Sequence, residues 1–262
     1  MKKMRITIHG KHFFVNQYYG SLMQKIRQFF VWNLFFKSFW HKVKSNKWEP
    51  DTFAVFNKFL DTKHSYIDIG AWIGPTVLYG CQIAKHCYAI EPDPVALKSL
   101  KENIKLNKQL EKKITVFNCC IGNSCGQVKL SSRFGFGDST SSLLSAKSKK
   151  TISVHSITLE EFLKLNKIVD CNFIKMDIEG GELIVLPNIK EYLKKYKPTL
   201  FISLHPFRFE NLKGDSEKIV NVLKIYKYIF DSAGNRLDLD KLYSLLLSGR
   251  GYDVIATDKN WN

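Results

Sequence analysis

The chain contains the run YIDIGAWIGP, which spans Tyr66–Pro75. Its first four residues predict a strand, and Pro75 predicts the start of a helix whose free backbone N–H groups would face the intervening turn. The glycines of that turn, Gly70 and Gly74, allow a tight bend and a close approach to a ligand. Further along, at the end of a second predicted strand, Glu91 could accept hydrogen bonds from ribose hydroxyls. Together these features predict a site for a ribose-containing ligand, although such turns also occur as plain strand-to-helix connections.

The spacing of the glycines separates two kinds of ribose-containing ligand. The dinucleotide fingerprint G-x-G-x-x-G would require glycines at positions 70, 72 and 75 of this chain. The sequence has Trp72 and Pro75 at the last two of these positions. This register disfavours a pyrophosphate cradle and favours a ligand that combines a ribose with an amino-acid tail.

Strand and helix patterns alternate along the chain around this run, which is typical of a doubly wound, mainly parallel sheet. Ligands bind such sheets at the carboxyl ends of the strands, beside the point where the strand order reverses. We expect an α/β fold with a seven-stranded sheet, formed by residues 66–69, 87–90, 114–120, 173–176, 199–204, 226–230 and 252–256. Residues 122–151 have a less regular pattern with a short strand at 127–131. Two parts are predicted: a strand pair with a basic, aromatic helical extension at 1–47, and the α/β domain at 48–262.

The composition is strongly basic, since 40 Lys and Arg against 24 Asp and Glu give a formal charge of +16. Such an excess favours anionic partners such as nucleic acid, acidic lipid or a phosphorylated substrate. The lysines are spread along the chain, however, which is equally typical of a solvated surface without a partner. The six cysteines include no C-x-x-C pair. We therefore expect no zinc or redox motif, and a reducing compartment.

Basic and aromatic residues are mixed in the predicted helical segment from Tyr18 to Lys44. One interpretation is an interfacial helix that docks on an anionic membrane. The other is a buried cap helix, because the aromatic residues occur on nearly all sides of it. The most hydrophobic stretch, Phe29–Phe36, has eight residues, whereas a spanning helix needs about 20. Without a signal-peptide pattern we expect a cytoplasmic protein, with peripheral membrane contact through residues 18–44 as an open alternative.

Five runs, in order along the chain, resemble the FkbM family of methyltransferases. They are DIGAWIG at Asp68–Gly74, EPDP at Glu91–Pro94, IG at Ile121–Gly122, KMDIEG at Lys175–Gly180 and LHP at Leu204–Pro206. The resemblance covers residues 48–230 and implies a class I, Rossmann-like methyltransferase fold, S-adenosylmethionine as cofactor, and methyl transfer that is usually to oxygen. The acceptors of the family are typically hydroxyls of sugars, glycans or polyketide-like natural products.

The resemblance also assigns residues to the cofactor. The residues that would lie at its methionine end are Asp68, Gly70, Ala71 and Gly74. Glu91 would hold the ribose, and Cys120, which stands where the family usually has Ala, would lie near the adenine. Trp72 stands where the family usually has Asn. It would either reshape the cofactor pocket or pack against the N-terminal segment.

Two candidate catalytic residues, Asp177 and His205, follow the fourth and fifth predicted strands and should face the cleft. His205 is the expected base because histidine titrates near neutral pH. Lys175 shares a strand face with Asp177, and would either orient the acceptor or form an ion pair that braces the next turn. No metal is expected, with Mg²⁺ on Asp177, Glu179 and His205 as the alternative. The loop Phe134–Ser142 either closes over the acceptor or is an ordinary connection.

The expected function is O-methylation of a small-molecule or glycan acceptor. A nucleic-acid methyltransferase, suggested by the charge, is the second hypothesis and is disfavoured. The Asn/Asp-Pro-Pro-aromatic motif typical of base methylation is replaced here by DIEG at Asp177–Gly180. A non-enzymatic, membrane-associated module, suggested by residues 18–44, is the third.

Overall fold

The computed structural model describes residues 3–17, 39–133, 135–144 and 150–261. Its strands are β1 (Lys3–Ile8), β2 (Lys11–Asn16), β3 (Ser65–Ile69), β4 (His86–Ile90), β5 (Ile114–Phe117), β6 (Cys120–Ile121), β7 (Gly126–Ser132), β8 (Lys150–Ile157), β9 (Cys171–Met176), β10 (Thr199–Leu204), β11 (Tyr228–Asp231), β12 (Arg236–Leu237) and β13 (Tyr252–Thr257). Its helices are α1 (Phe39–Lys44), α2 (Pro50–Phe59), α3 (Pro75–Gly80), α4 (Pro94–Lys105), α5 (Lys108–Glu111), α6 (Leu159–Leu165), α7 (Glu182–Asn188), α8 (Lys190–Tyr196), α9 (Leu212–Leu223) and α10 (Leu239–Leu247), with a 3₁₀ helix at Pro206–Arg208. The predicted helical segment from Tyr18 is described only from Phe39 onward, because residues 18–38 lie outside these ranges.

The largest sheet has the strand order β12-β11-β13-β10-β9-β3-β4-β5. Strands β5, β4, β3, β9 and β10 are parallel neighbours, whereas β13 runs antiparallel to both β10 and β11. The expected doubly wound, mainly parallel α/β fold is confirmed. The seven predicted strands are present, and an eighth, β12, pairs with β11. Because β12 has only two residues, it leaves no pattern in the sequence.

The strand order reverses between β3 and β9. From β3 the chain proceeds outward to β4 and β5, and later places β9 and β10 on the other side of β3. At this point the crossover connections of the two groups of strands run in opposite directions. A crevice therefore opens between them, at the carboxyl ends of the strands. The fold therefore places Gly70, which follows β3, and Asp177, which follows β9, at one crevice.

Each face of the sheet is covered by its own hydrophobic cluster. Alternate residues of a central strand belong to different clusters. In β9, for example, Phe173 lies in one cluster and Ile174 in the other. The cluster containing Phe173 also includes Phe13 and Trp40 from the N-terminal part of the chain. The hairpin β1–β2 therefore shares a core with the α/β domain.

A smaller sheet with the order β6-β8-β7 follows the third strand of the large sheet. The predicted strand 114–120 is divided between β5 in the large sheet and β6 in the small one. The short strand predicted at 127–131 is present as β7. Its partner β8 was not predicted, because its sequence KTISVHSI is polar at most positions and follows a lysine run. None of the described helices is both long enough and apolar enough to cross a membrane.

Candidate active site

A cavity of about 400 Å³ opens at the carboxyl ends of β3, β4, β9 and β10. This volume lies within the range of about 300–1,000 Å³ that is typical of small-molecule sites. Its wall includes the turn after β3, the loop 135–144 and part of the N-terminal segment. Among the residues predicted to bind the cofactor, the wall includes Gly70, Ala71, Glu91 and Cys120. Asp68 and Gly74 are buried behind it.

The glycine turn is shaped by the neighbouring strand. Gly70 has a φ of +86°, and a Cβ on it would lie 1.9 Å from the main-chain carbonyl oxygen of Asp177. The N–H of Asp177 in turn donates to the carbonyl of Ile69 at 3.0 Å. The close approach expected for Gly70 is therefore an approach to the end of β9 within the protein itself.

Asp68 braces the first turn of α3. Its Oδ2 accepts a hydrogen bond of 2.6 Å from the Thr76 hydroxyl, and its Oδ1 lies 3.6 Å from the Lys175 ammonium. The side chain is fully buried, and burial raises the pKa of this carboxyl. Asp68 therefore supports the site from behind the glycine turn.

Glu91 reaches the cavity wall from the end of β4. Its Oε2 accepts from the Trp72 N–H at 2.7 Å, and its Oε1 from the Asp93 N–H at 2.8 Å. Burial raises the pKa of this carboxyl to about 8. Each carboxylate oxygen has a second acceptor position, so Glu91 retains capacity for hydroxyl groups of a ligand.

Trp72 occupies a left-handed conformation, with a φ of 48°. Its indole N–H donates to the carbonyl of Gly137 at 3.1 Å. Its ring packs edge-to-face against Phe39 of α1, with centroids 4.6 Å apart. Trp72 also lines the cavity. Trp72 therefore contacts the N-terminal segment and also lines the cavity, and its reshaping of a cofactor pocket stays a prediction.

The loop 135–144 is attached to both sides of the cavity. On the side of β4, Asp93 Oδ2 accepts from the Gly137 N–H at 2.6 Å and from the Ser141 hydroxyl at 2.9 Å. On the side of β9, the Ser142 hydroxyl donates to the carbonyl of Glu179 at 2.7 Å. Phe134, the first residue of the predicted loop, lies outside the described residues. These contacts make the loop a strap across the cavity.

Lys175 is a buried cation at the base of the cavity. Its Nζ lies 3.6 Å from both Asp68 Oδ1 and Asp177 Oδ2. Burial alone would lower the pKa of this ammonium, but the carboxylates around it outweigh burial and raise the pKa. Lys175 therefore carries its charge at neutral pH and faces Asp177, as its place on the strand predicted.

His205 is enclosed by three carboxylates. Its Nε2 lies 3.6 Å from Asp177 Oδ1 and 3.7 Å from Glu179 Oε1, and its Nδ1 lies 3.4 Å from Glu182 Oε1. Burial alone would lower the pKa of His205, but these carboxylates raise it to about 9. The raised pKa favours a protonated His205 at neutral pH, and the role of His205 as catalytic base stays a prediction. Among the described residues, no group of three or more His, Cys, Asp or Glu is arranged to hold a metal ion.

Two carboxylates of the cavity wall were not predicted. Glu49 lies at the start of α2 in a left-handed conformation, with a φ of 40°, and burial raises its pKa to about 7. Asp253 lies beside Ser203 on the antiparallel strand β13, and burial raises its pKa as well. The carboxyl ends of parallel strands do not indicate either residue. The sequence pattern that could have indicated Asp253 is an acidic residue at the amino end of an apolar strand.

Comparison with known proteins identifies the family. Residues 68–237, more than half of the chain, match the sequence profile described as the methyltransferase FkbM domain. No curated protein sequence matches the chain. Three similar solved structures give the following values.

The methyltransferase FkbM from Methylobacillus flagellatus KT is 21% identical, with a TM-score of 0.48 over 75% of this chain and 44% of that chain. The precorrin-6y C5,15-methyltransferase from Geobacter metallireducens GS-15 is 11% identical, with a TM-score of 0.44 over 86% of this chain and 95% of that chain. A proposed methyltransferase from Streptococcus mutans, in complex with SAH, is 13% identical, with a TM-score of 0.42 over 79% and 95%.

The chain thus spans less than half the length of the solved FkbM protein. The profile match nevertheless runs from Asp68, at the glycine turn, to Leu237 in β12. It includes the glycine turn, the strap and the His205 cluster, whereas Glu49 and Asp253 of the cavity wall lie outside it. The chain belongs to the FkbM family of methyltransferases.

Proposed function

We propose that this methyltransferase uses S-adenosylmethionine and methylates a hydroxyl group of a sugar, a glycan or a polyketide-like molecule. The observation that carries the proposal is the charge of the cavity. Among the described residues, six carboxylates line it, whereas the cations are Lys175 and His205: the carboxylates are Glu49, Glu91, Asp138, Asp177, Glu179 and Asp253. The raised pKa values of Glu91 and Glu49, about 8 and about 7, favour their neutral forms. The other four carboxylates still outnumber the two cations, and an acidic cavity in a protein of charge +16 favours a cationic cofactor.

The residues present fit S-adenosylmethionine. When bound, this cofactor supplies a methyl group on a positively charged sulfur, an activated donor for a nucleophilic oxygen. Glu91 retains acceptor positions for the ribose hydroxyls, and the backbone of Gly70 and Ala71 borders the cavity next to it. Cys120 and Ile121 contribute apolar wall for the base.

Asp177 is the residue best placed to accept the proton of the acceptor hydroxyl. Its side chain is 30% exposed, and its two oxygens face different cations, Oδ1 towards His205 and Oδ2 towards Lys175. A protonated His205 has no free nitrogen with which to act as base, so its role is to hold Asp177 in place. Holding the acceptor in line contributes up to ~7–11 kcal/mol to such reactions.

The acidic wall also bears on the nucleic-acid alternative. Phosphate groups are repelled by a cavity with this excess of carboxylates. The wall therefore supports a neutral or cationic acceptor. We further propose a cytoplasmic location, which is consistent with the free state of the cysteines at 81, 87, 119, 120, 125 and 171.

The experiment combines calorimetric binding of S-adenosylhomocysteine with transfer of labelled methyl groups to a panel of sugars and glycans. For Asp177→Asn we expect kcat to fall by ~10²–10⁴, as for loss of a general base, with little change in cofactor affinity. Asp170→Asn is the matched control, because Asp170 lies just before the opposite end of β9 in an ion pair with Lys85. Absence of cofactor binding by the wild-type chain would refute the proposal.

A further inference from the structure

Asp138, in the strap across the cavity, has one carboxylate oxygen that accepts hydrogen bonds and one that has no partner among the described residues. Oδ1 accepts from the N–H of Thr140 at 2.8 Å and from its hydroxyl at 2.7 Å. Oδ2 is shielded from solvent and has no hydrogen-bond partner among the described residues. The same side chain lines the cavity. Buried acceptors in folded proteins are nearly always paired, and an unpaired one is costly, so this oxygen indicates a missing ligand atom.

The position of the strap shows which part of the cavity Asp138 serves. The preceding residue, Gly137, accepts from the Trp72 indole and donates to Asp93. The backbone N–H groups of Trp72 and Asp93 both donate to Glu91. Asp138 is therefore fixed, through its neighbour, to the two residues that hold the proposed ribose-binding carboxylate.

We propose that Asp138 Oδ2 accepts a hydrogen bond from the nucleoside half of the bound cofactor, from a ribose hydroxyl or from the amino group of the base. Both groups are neutral hydrogen-bond donors, and Oδ2 has no donor among the described residues. The inference rests on the proposed use of S-adenosylmethionine. It makes the strap part of the cofactor site and gives the nucleoside a second carboxylate besides Glu91.

Two substitutions distinguish the role of Asp138 Oδ2 from that of the turn in which Oδ1 contacts Thr140. In Asp138→Asn, the carboxamide oxygen keeps the contacts with Thr140, because the Thr140 N–H can only donate. The NH₂ group then replaces Oδ2. It cannot accept from the amino group of a base, and with a ribose hydroxyl it forms only a neutral hydrogen bond, which is weaker than one to a carboxylate. In Thr140→Val, the hydroxyl contact is lost while Oδ2 is unchanged. Thr140→Val is therefore the matched control for the turn.

The measurement is calorimetric binding of S-adenosylhomocysteine and of adenosine, with the unfolding temperature of each variant as the test of folding. We expect Asp138→Asn to weaken binding of both ligands about tenfold or more, as for a lost hydrogen bond to a charged group. Thr140→Val should bind both ligands nearly as the wild-type chain does.

Three results would overturn the inference. They are wild-type affinity for adenosine in Asp138→Asn, equal weakening in both variants, and a change confined to the KM of the acceptor. A wild-type chain that binds neither ligand would instead refute the proposed cofactor and, with it, this role. Wild-type binding that Asp138→Asn leaves unchanged refutes only the role of Asp138.

Discussion

At the scale of single residues, Gly70 has the tightest surroundings among the described glycines. A methyl group there would meet the carbonyl oxygen of Asp177 at 1.9 Å, and this oxygen is fixed because it belongs to the backbone. We expect Gly70→Ala to reduce the free energy of unfolding by about 3 kcal/mol or more, from strain at positive φ together with the clash. Denaturant unfolding measures the change.

Gly10 supplies the control for that substitution. Its φ of +75° is similar to that of Gly70, but no atom lies within 4 Å of a Cβ placed on it. Gly10→Ala should therefore cost only about 1–2 kcal/mol, the price of the left-handed conformation. Similar losses in the two variants would show that the contact with β9 is unimportant.

His205 predicts a dependence of stability on pH. Its pKa rises from an ordinary 6.5 to about 9 in the folded protein, so the folded state binds the proton more tightly than the unfolded state. The resulting stabilisation is complete below pH 6.5 and is lost as the pH rises through about 9. Relative to the wild-type chain, His205→Gln should lose about 3 kcal/mol of its free energy of unfolding at pH 6, given about 1.4 kcal/mol per pKa unit.

Denaturant unfolding of both proteins between pH 6 and pH 10 measures this difference. We expect it to shrink towards high pH, where the wild-type imidazole is also neutral. A difference that stays constant over the whole range would contradict a protonated His205 in the folded state.

The residues of the site divide into those that local sequence indicates and those that it does not. Asp177, Lys175 and His205 were predicted to converge because each lies at or just beyond the carboxyl end of a parallel strand, and parallel strands align these ends. Glu49 and Asp253 reach the same cavity from a helix start and from an antiparallel strand. Their positions depend on tertiary packing, which neither periodicity nor spacing records.

At the scale of elements, the hairpin β1–β2 is joined to the glycine turn through α4. Asn103 accepts from the Asn16 N–H at 2.8 Å and donates to the carbonyl of Ile73, within the turn, at 2.9 Å. Asn107, just beyond α4, makes reciprocal hydrogen bonds of 2.7 Å with the backbone of Phe14 and does not bond to the turn. The two buried amides hold the same hairpin, but only Asn103 positions the turn.

This difference can be measured with Asn103→Ala and Asn107→Ala. Both should destabilise the protein by about 1–3 kcal/mol, because each leaves buried backbone groups unpaired. Only Asn103→Ala should also weaken binding of S-adenosylhomocysteine, since it releases the carbonyl of Ile73. Calorimetry on the folded variants checks this, and equal affinity in both would restrict Asn103 to a structural role.

Elements were predictable where burial leaves an apolar run. The central strands β3, β9 and β10 are covered on both faces and are accordingly rich in apolar residues. Strand β8 alternates polar residues with buried ones, and helix α7 contains Pro187, which disguises its pattern. Neither element was predicted from the sequence, because each is stabilised by contacts with distant parts of the chain and not by a pattern of its own.

At the scale of the whole molecule, the charge of the surface and that of the cavity have opposite signs. A net charge of +16 should give the chain some affinity for RNA or DNA through phosphate contacts, and this affinity should fall steeply between 50 and 200 mM salt, by up to ~10³–10⁵. The acidic cavity should nevertheless repel the phosphates on either side of a target base, so labelled methyl groups should not appear on the nucleic acid. Filter binding and methyl transfer test the two statements separately, and methylated nucleic acid would favour the alternative function.

Strand β13 follows the other strands of the large sheet along the chain, yet it lies inside the sheet, between β10 and β11. Until Tyr252–Thr257 emerges from the ribosome, the strands on either side of its place present unpaired edges that invite aggregation. Asp253 is also absent from the cavity until then. Nascent chains should therefore depend on chaperones until β13 has been synthesised. A message with a premature stop codon before position 252 should yield a protein that is degraded rather than one that is merely inactive.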